Sequence, residues 1–396
     1  MSEKLAEVFE MYDMEVLGTR KGRGATILST SEGVRILEPF RGNMIRLEQE
    51  YVLKQLLVEN GFCNVDVILP NRDGILFTCD RYRQPFVLKK HFEGEECDMY
   101  NWEDMKQSIS LLAQFHKCGK KVAKKFDQAW KDNRIAQEKK RLAEIRNAVE
   151  NGEELERIAR IYDIRENILR EMLELGENAI EEQTVKSSDY NPEMHVEDLF
   201  VKHNRELMKI YKHVMKVKRK NAFEMLFLKE FKKYYEQGKY CVEQLESTCS
   251  VSFCQVEKEH FGICHGAYNQ HNIILHEEQG AIVHFERFSK GNQLHDLYQF
   301  TRKAMEKNHF DVALLTELLA TYSAHIPLSE EDYRYIYILF SYPEKFWKIA
   351  NGYYNTNKSF LSPKHVEKLK NVICQEEEKQ KMLQEYWAFH FSPDSV

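Results

Sequence analysis

One short run, His265-Gly266-Ala267-Tyr268-Asn269-Gln270-His271-Asn272, has the spacing of a phosphoryl-transfer loop with one member exchanged. In such loops an aspartate two places after the histidine accepts the proton of the attacking hydroxyl. An asparagine further along holds magnesium against the nucleotide phosphates. His265, Gly266 and Asn272 are in place, but Ala267 stands at the base position and has no atom that can take a proton. The frame for hydroxyl-to-phosphate chemistry is present without its base.

Three other charges belong to the same chemistry, and each can be sought. A strand cation should meet the phosphates, but in Gly33-Val34-Arg35-Ile36-Leu37-Glu38-Pro39 that place falls on Glu38. A helix glutamate should orient the cation. Glu50 is the candidate, with Glu48 as the alternative, and opposite Glu38 it would form a pair of like charges. Lys89 completes the candidate residues of a degenerate nucleotide cleft. A magnesium aspartate should end a strand soon after the loop. In Ala281-Ile282-Val283-His284-Phe285-Glu286 that place holds His284, leaving Asn272, His284 and Glu286 as weak metal candidates. Magnesium takes hard oxygen ligands, so imidazole replaces a carboxylate poorly. Exchanging a lysine for a glutamate shifts the local charge by two units. One unit charge at ~4 Å is worth about 1 kcal/mol in water and about 4 kcal/mol at an effective dielectric of 20. Nucleotide in the usual pose is therefore opposed by roughly 10²-fold or more.

These positions need elements to hold them. In the first ninety residues, β-prone runs at Gly24–Leu28, Val34–Leu37, Val65–Leu69, Ile75–Thr78 and Phe86–Leu88 are separated by turn residues. One helix, Ile45–Glu59, interrupts them, and Asn60-Gly61 stops it. From Asn101 onward the pattern is helical, with Met105, Ile109, Leu112 and His116 on one buried face. Residues 119–177 are charge-dense and predict two helices broken at Asn151-Gly152. The second carries Leu155, Ile158, Ile161, Ile168, Met172 and Leu175 and stops at Gly176. Residues 178–197 predict a polar connection. An amphipathic stretch, Leu199–Leu245, begins with a basic face over 202–220 that suits an acidic partner. The loop at 265–272 is bracketed by the β-prone runs Phe261–Cys264 and Ile273–Leu275, and His295-Asp296-Leu297 follows. The expected architecture is α+β and bilobal, of protein-kinase-like fold. A small β-rich N-terminal lobe (1–90) precedes a large, mainly helical C-terminal lobe (91–396). The latter holds the catalytic-loop hairpins at 261–286 and a charged insert at about 119–197.

Composition narrows the classes. A net charge of −6 gives no bulk attraction to nucleic acid or anionic membrane. No apolar run approaches the ~18–20 residues that span a bilayer. Nine cysteines without framework spacing favour synthesis in a reducing cytosol. Cys249, Cys254 and Cys264 crowd near several histidines, but without the paired spacing of a zinc motif.

The loop, with the Asp296-Leu297 pair that would buttress it, resembles aminoglycoside- and choline-kinase-like phosphotransferases. Further runs make the chain similar to the CotS family of spore coat proteins. They include Val87-Leu88-Lys89-Lys90-His91-Phe92-Glu93-Gly94, Leu112-Ala113-Gln114-Phe115-His116, His203-Asn204-Arg205-Glu206-Leu207, Leu297-Tyr298-Gln299-Phe300 and Ser341-Tyr342-Pro343-Glu344-Lys345-Phe346-Trp347. The resemblance implies a kinase fold, a structural role for Asp296, partners among spore coat or other proteins, and synthesis in the mother cell followed by coat location. With Glu38, Ala267 and His284 it implies a pseudokinase that acts by binding or assembly during sporulation, with no cofactor. Two alternatives stay open. One is an active phosphotransferase using ATP and magnesium on a small hydroxylated or amino-sugar-like substrate. The other is a non-catalytic receptor for a small ligand in the interlobe cleft.

Overall fold

The structure is a computed structural model, and it describes residues 5–152, 154–161, 173, 193–247, 251–355 and 363–391. The chain divides into two compact units. The first comprises Met1–Gly61, Val67–Lys90 and Lys121–Pro192, and the second Phe62–Asp66, His91–Lys120 and Glu193–Val396.

The first unit is built on a six-stranded sheet. Strands β1 (Val16–Lys21), β2 (Thr26–Thr30), β3 (Gly33–Pro39), β6 (Pro85–Lys90) and β4 (Ile68–Leu69) lie in that order, and β5 (Thr78–Cys79) also pairs with β6. Leu37 and Leu88 turn to one face and join Val8, Phe9, Tyr12 and Leu28, the first two from helix α1 (Ala6–Phe9). Val87, one residue away and therefore on the opposite face, packs with Leu47 of helix α2 (Met44–Glu59), Ile68 and Leu76. Helix α2 starts where the Asn43 side chain accepts the Ile45 amide and ends at Asn60, with Gly61 at a φ of 94°. The expected β-rich lobe with one long helix is present. Strand β1 and the short α1 were not foreseen, because Val16–Lys21 is largely exposed and its alternation is weak.

Helix α3 runs unbroken from Trp102 to Glu150, joining the predicted helix at Met105–His116 to the first half of the insert. It turns at Asn151-Gly152, where Gly152 has a φ of 84°, into α4 (Leu155–Ile161). Ile158 buries against Ile145. The insert was expected within the helical lobe, yet Lys121–Pro192 belongs to the β-rich unit. Arg134 pairs with Glu48 at 3.0 Å, Lys140 donates to the Asp73 carbonyl, and Trp130 is buried. Ile168, Met172, Leu175, Gly176 and most of 178–197 lie outside the described residues.

In the second unit, β7 (Glu95–Glu96) pairs with β10 (Ile273–His276), which forms a hairpin with β11 (Gln279–Ile282), while β8 (Glu193–Met194) and β9 (Phe261–Cys264) flank β12 (Ser289–Asn292). Around them stand α5 (Val196–Lys216), α6 (Ala222–Ser247), α7 (Val251–Glu259), α8 (Leu294–Lys307), α9 (Val312–Ser323), α10 (Glu330–Ser341), α11 (Glu344–Asn355), α12 (Pro363–Cys374) and α13 (Glu376–Phe391). The predicted amphipathic stretch is two helices, α5 and α6. Phe200, Leu207, Ile210 and Val214 of α5 point inward, and Lys202, Arg205, Lys209, Lys212 and Lys216 point outward.

The aromatic run that begins α11 anchors this core. Phe346 is fully buried, 4.2 Å from the Tyr234 ring and 5.6 Å from Phe227, and Trp347 stacks on His203 at 3.3 Å. Phe346→Ala should lower stability by about 3–5 kcal/mol, the cost of emptying a large buried aromatic site. Urea denaturation checks this, and an unchanged midpoint would remove Phe346 from the core.

Candidate functional site

The residues of the catalytic-type loop are held from behind by one carboxylate. Asp296, in the first turn of α8 and fully buried, accepts the amide of His265 at 2.5 Å on one oxygen and that of Gly266 at 3.0 Å on the other. Burial pushes its carboxyl up, but His116, His265 and the backbone donors outweigh that and hold it below the ordinary aspartate value. Burial pulls the His116 imidazole down, so it is neutral, with Nδ1 against the Tyr322 hydroxyl and Nε2–H toward Asp296.

His265 is likewise buried and neutral. Its Nε2–H donates to the Val283 carbonyl at 3.0 Å, and its Nδ1 accepts the Ala267 amide at 3.2 Å, which fixes a single tautomer. Gly266 has a φ of 72°, and a Cβ there would lie 2.1 Å from the Arg287 carbonyl oxygen. No other residue fits that place without moving the backbone. The Ala267 carbonyl accepts the side-chain amides of Asn269 at 2.6 Å and Asn272 at 2.9 Å. The Asn272 nitrogen is thus used inside the loop, and its Oδ1 is the atom with ligand chemistry left.

The turn after β11 places His284 at a φ of 65°, a left-handed conformation that costs a non-glycine residue of order 1–3 kcal/mol. Asp66, which is buried, accepts the His284 amide at 3.2 Å, and His284 Nδ1 stands 3.3 Å from a Glu286 oxygen. The metal candidates read from the sequence, Asn272, His284 and Glu286, therefore offer one amide oxygen, one imidazole and one half-exposed carboxylate. Sequence reading did not single out Asp66. It lies far from His284 in the chain, and the Val65–Ile282 bridge brings it near.

In the β-rich unit, the expected pair of like charges is corrected. Lys89 lies opposite Ile36 in the β3–β6 register, so its side chain shares a face with Glu38 two residues along. Its ammonium reaches Glu38 at 3.0 Å and Glu50 at 3.7 Å. Lys54, one helical turn beyond Glu50, meets the same Glu50 oxygen at 2.5 Å. Two lysines and two glutamates alternate, and only Glu38 retains appreciable exposure, at 20% of its side chain. Glu48, the alternative partner, instead pairs with Arg134. The Glu50–Lys54 spacing is a helix ion-pair signal that could have revealed Lys54. The strand-to-strand register that brings in Lys89 has no sequence signal.

This β-rich sheet unit and the carboxylate-clamped loop define a protein of the aminoglycoside-phosphotransferase-like kinase fold. An aminoglycoside phosphotransferase from Alicyclobacillus acidocaldarius matches with a TM-score of 0.67 at 14% identity, covering 96% of this chain and 93% of its own. Spectinomycin phosphotransferase, solved with ADP and spectinomycin, matches with a TM-score of 0.54 at 11% identity, covering 96% and 99%. The chain belongs to the family described as spore coat putative kinase YutH, whose model matches residues 174–386, more than half of its length. Spore coat protein S of Bacillus subtilis is 26% identical over 165 residues. That alignment covers 41% of this chain and spans about half of the relative, 47%.

Two outcomes follow from these burials. Lys89→Met leaves Glu50 and Glu38 short of a cation and should cost about 3–5 kcal/mol, as for other broken buried pairs. Adding Glu38→Gln should recover part of that, since Glu50 keeps Lys54, and equal stability of Lys89→Met and the parent chain would show the network to be solvated. The second outcome concerns acid. His116, His265 and His295 have folded pKa values lowered by burial, so below their unfolded value of about 6.5 the unfolded chain takes up protons that the folded chain refuses. Stability should therefore be complete above pH 6.5 and fall as pH drops, at up to about 1.4 kcal/mol per pH unit for each histidine. Urea midpoints between pH 7.5 and 5.5 check the sign, and a midpoint that rises on acidification contradicts it.

Proposed function

We propose that this spore coat family member is a pseudokinase that works by binding and assembly rather than by phosphoryl transfer. The observation that carries the reading is Ala267. The loop around it keeps its backbone clamp, its left-handed glycine and its asparagine, yet the side chain at the base position is a methyl group. Two further observations support it. In the sequence pattern His284 takes the place of the hard oxygen ligand that magnesium needs. Lys89, the cation nearest the kinase pattern, is shared between two carboxylates, so the network it belongs to offers phosphates no net positive charge. Among the described residues no helix is long and apolar enough to cross a membrane. The coat is the proposed location, and the exposed basic face of α5 the proposed contact for an acidic partner.

A second reading has one specific observation in its favour. Lys89 is buried beside Glu50, a lysine–glutamate pair of the kind that positions nucleotide phosphates in kinases. In that reading the lysine has moved to the neighbouring strand, and a metal is gathered by Asn272 and Glu286. Charge separates the two. MgATP should give little or no rise in melting temperature, whereas saturation at 100 Kd would add about 2.7 kcal/mol. Glu38→Gln, which frees Lys89 of one carboxylate, should strengthen whatever weak binding exists. A clear magnesium-dependent rise at micromolar ATP in the unmodified chain, lost in Lys89→Met, would favour the second reading.

A further inference from the structure

The helical unit carries a groove of about 540 Å³ in whose wall basic side chains outnumber acidic ones, beside Ile349, Gly352 and Asn371. Arg302 and Lys303 of α8, Lys345 and Lys348 of α11, and His365 and Lys368 of α12 converge on it. Two carboxylates serve these cations. Glu306 takes Arg302 on one oxygen and Lys345 on the other at 2.7 Å. Glu344 takes Lys348 on one oxygen and the Arg302 Nε at 3.5 Å on the other. Both carboxylates are thus fully engaged, while Lys303 and Lys368 have no carboxylate partner among the described residues. Arg302, Lys303, Lys345, Lys348 and Lys368 against these two carboxylates leave an excess of positive charge around one concave site.

Such crowding opposes folding unless something relieves it. Burial above all, then the neighbouring Arg302 and Lys348, pull the Lys303 ammonium down to about 8, with Glu306 and Glu344 opposing. The buried Nδ1 of His365 also has no hydrogen-bond partner. Lys348 and Lys368 are exposed while Lys303 and Lys345 are half-buried, and together they line a groove of ligand-binding size. Glu344, Lys345 and Lys348 belong to the Pro343-Glu344-Lys345-Phe346-Trp347 segment and the turn after it. Phe346 and Trp347 fasten that segment to the core, so the site is rigidly backed.

We propose that this groove binds a small free polyanion of phosphate chemistry, bearing three or more negative charges, at a site separate from the kinase-type loop. Lysine ammoniums act as point charges that suit phosphate oxygens. Arg302, the group best shaped for a planar carboxylate, is already occupied by Glu306 and Glu344.

The test is calorimetric titration of the full chain with tripolyphosphate at pH 7 and constant ionic strength. Hexaglutamate and citrate serve as polycarboxylate controls. Tripolyphosphate should bind, and more tightly than either control. Lys303→Gln and Lys368→Gln should each weaken it about fivefold, the effect of one unit charge near 4 Å in water, and roughly 25-fold together. Unliganded Lys303→Gln should melt no earlier than the parent chain, because it removes a repulsion. Should that variant fail to fold, the exposed Lys368→Gln carries the test alone. Absence of binding, unchanged affinity in the variants, or equal binding of hexaglutamate or citrate would overturn the proposal.

Discussion

The buried carboxylate of Asp296 is the constraint on which the loop depends. It is placed by the first turn of α8 and spends both oxygens on consecutive backbone amides, His265 and Gly266. A charge-assisted pair of this kind, with the left-handed glycine between strand and loop, fixes where position 267 stands whatever its side chain is. His265 then ties the loop to Val283 and thereby to the turn that carries His284. None of these interactions requires a catalytic base. On the pseudokinase proposal the scaffold persists without the chemistry, because its stability lies in the Asp296 clamp and the His265 contacts rather than in a base.

A similar separation governs the β-rich unit. In a kinase the strand lysine is useful because part of its charge faces the phosphates. Here Lys89 is held by Glu38 and Glu50, and Lys54 supplies a second cation to Glu50. Pairing of this sort offsets much of the desolvation that burial imposes, and it leaves little field for a ligand. On the pseudokinase proposal the network is a structural device first. Any nucleotide would have to compete with Glu38 for it.

Much of the plan was legible in the chain itself. The loop from His265 to Asn272, its flanking strands and Asp296 were visible because hydrogen-bonding demands fix their spacing within one continuous segment. Helix α2 was visible from its period and from Asn60-Gly61. Long-range pairing was not. Lys89 meets Glu38 through a register between strands far apart in sequence, and Asp66 meets His284 through a single bridge. The insert was misassigned for a related reason. The periodicity at Met105–His116 and the charge-dense segment after it read as separate helices, while α3 runs through both and its second half belongs to the β-rich unit. Charge density marks a solvated face, but it does not say which unit lies under the other face.

Phosphoryl transfer itself gives the most direct measurement. ADP release from MgATP should be followed for the parent chain, for Asn272→Ala, and for the triple variant Glu38→Lys, Ala267→Asp, His284→Asp. No magnesium-dependent release is expected from the parent chain, and none should be restored by Ala267→Asp alone, since groups that act as a unit are not additive. Turnover by the parent chain that is abolished in Asn272→Ala would contradict the pseudokinase proposal.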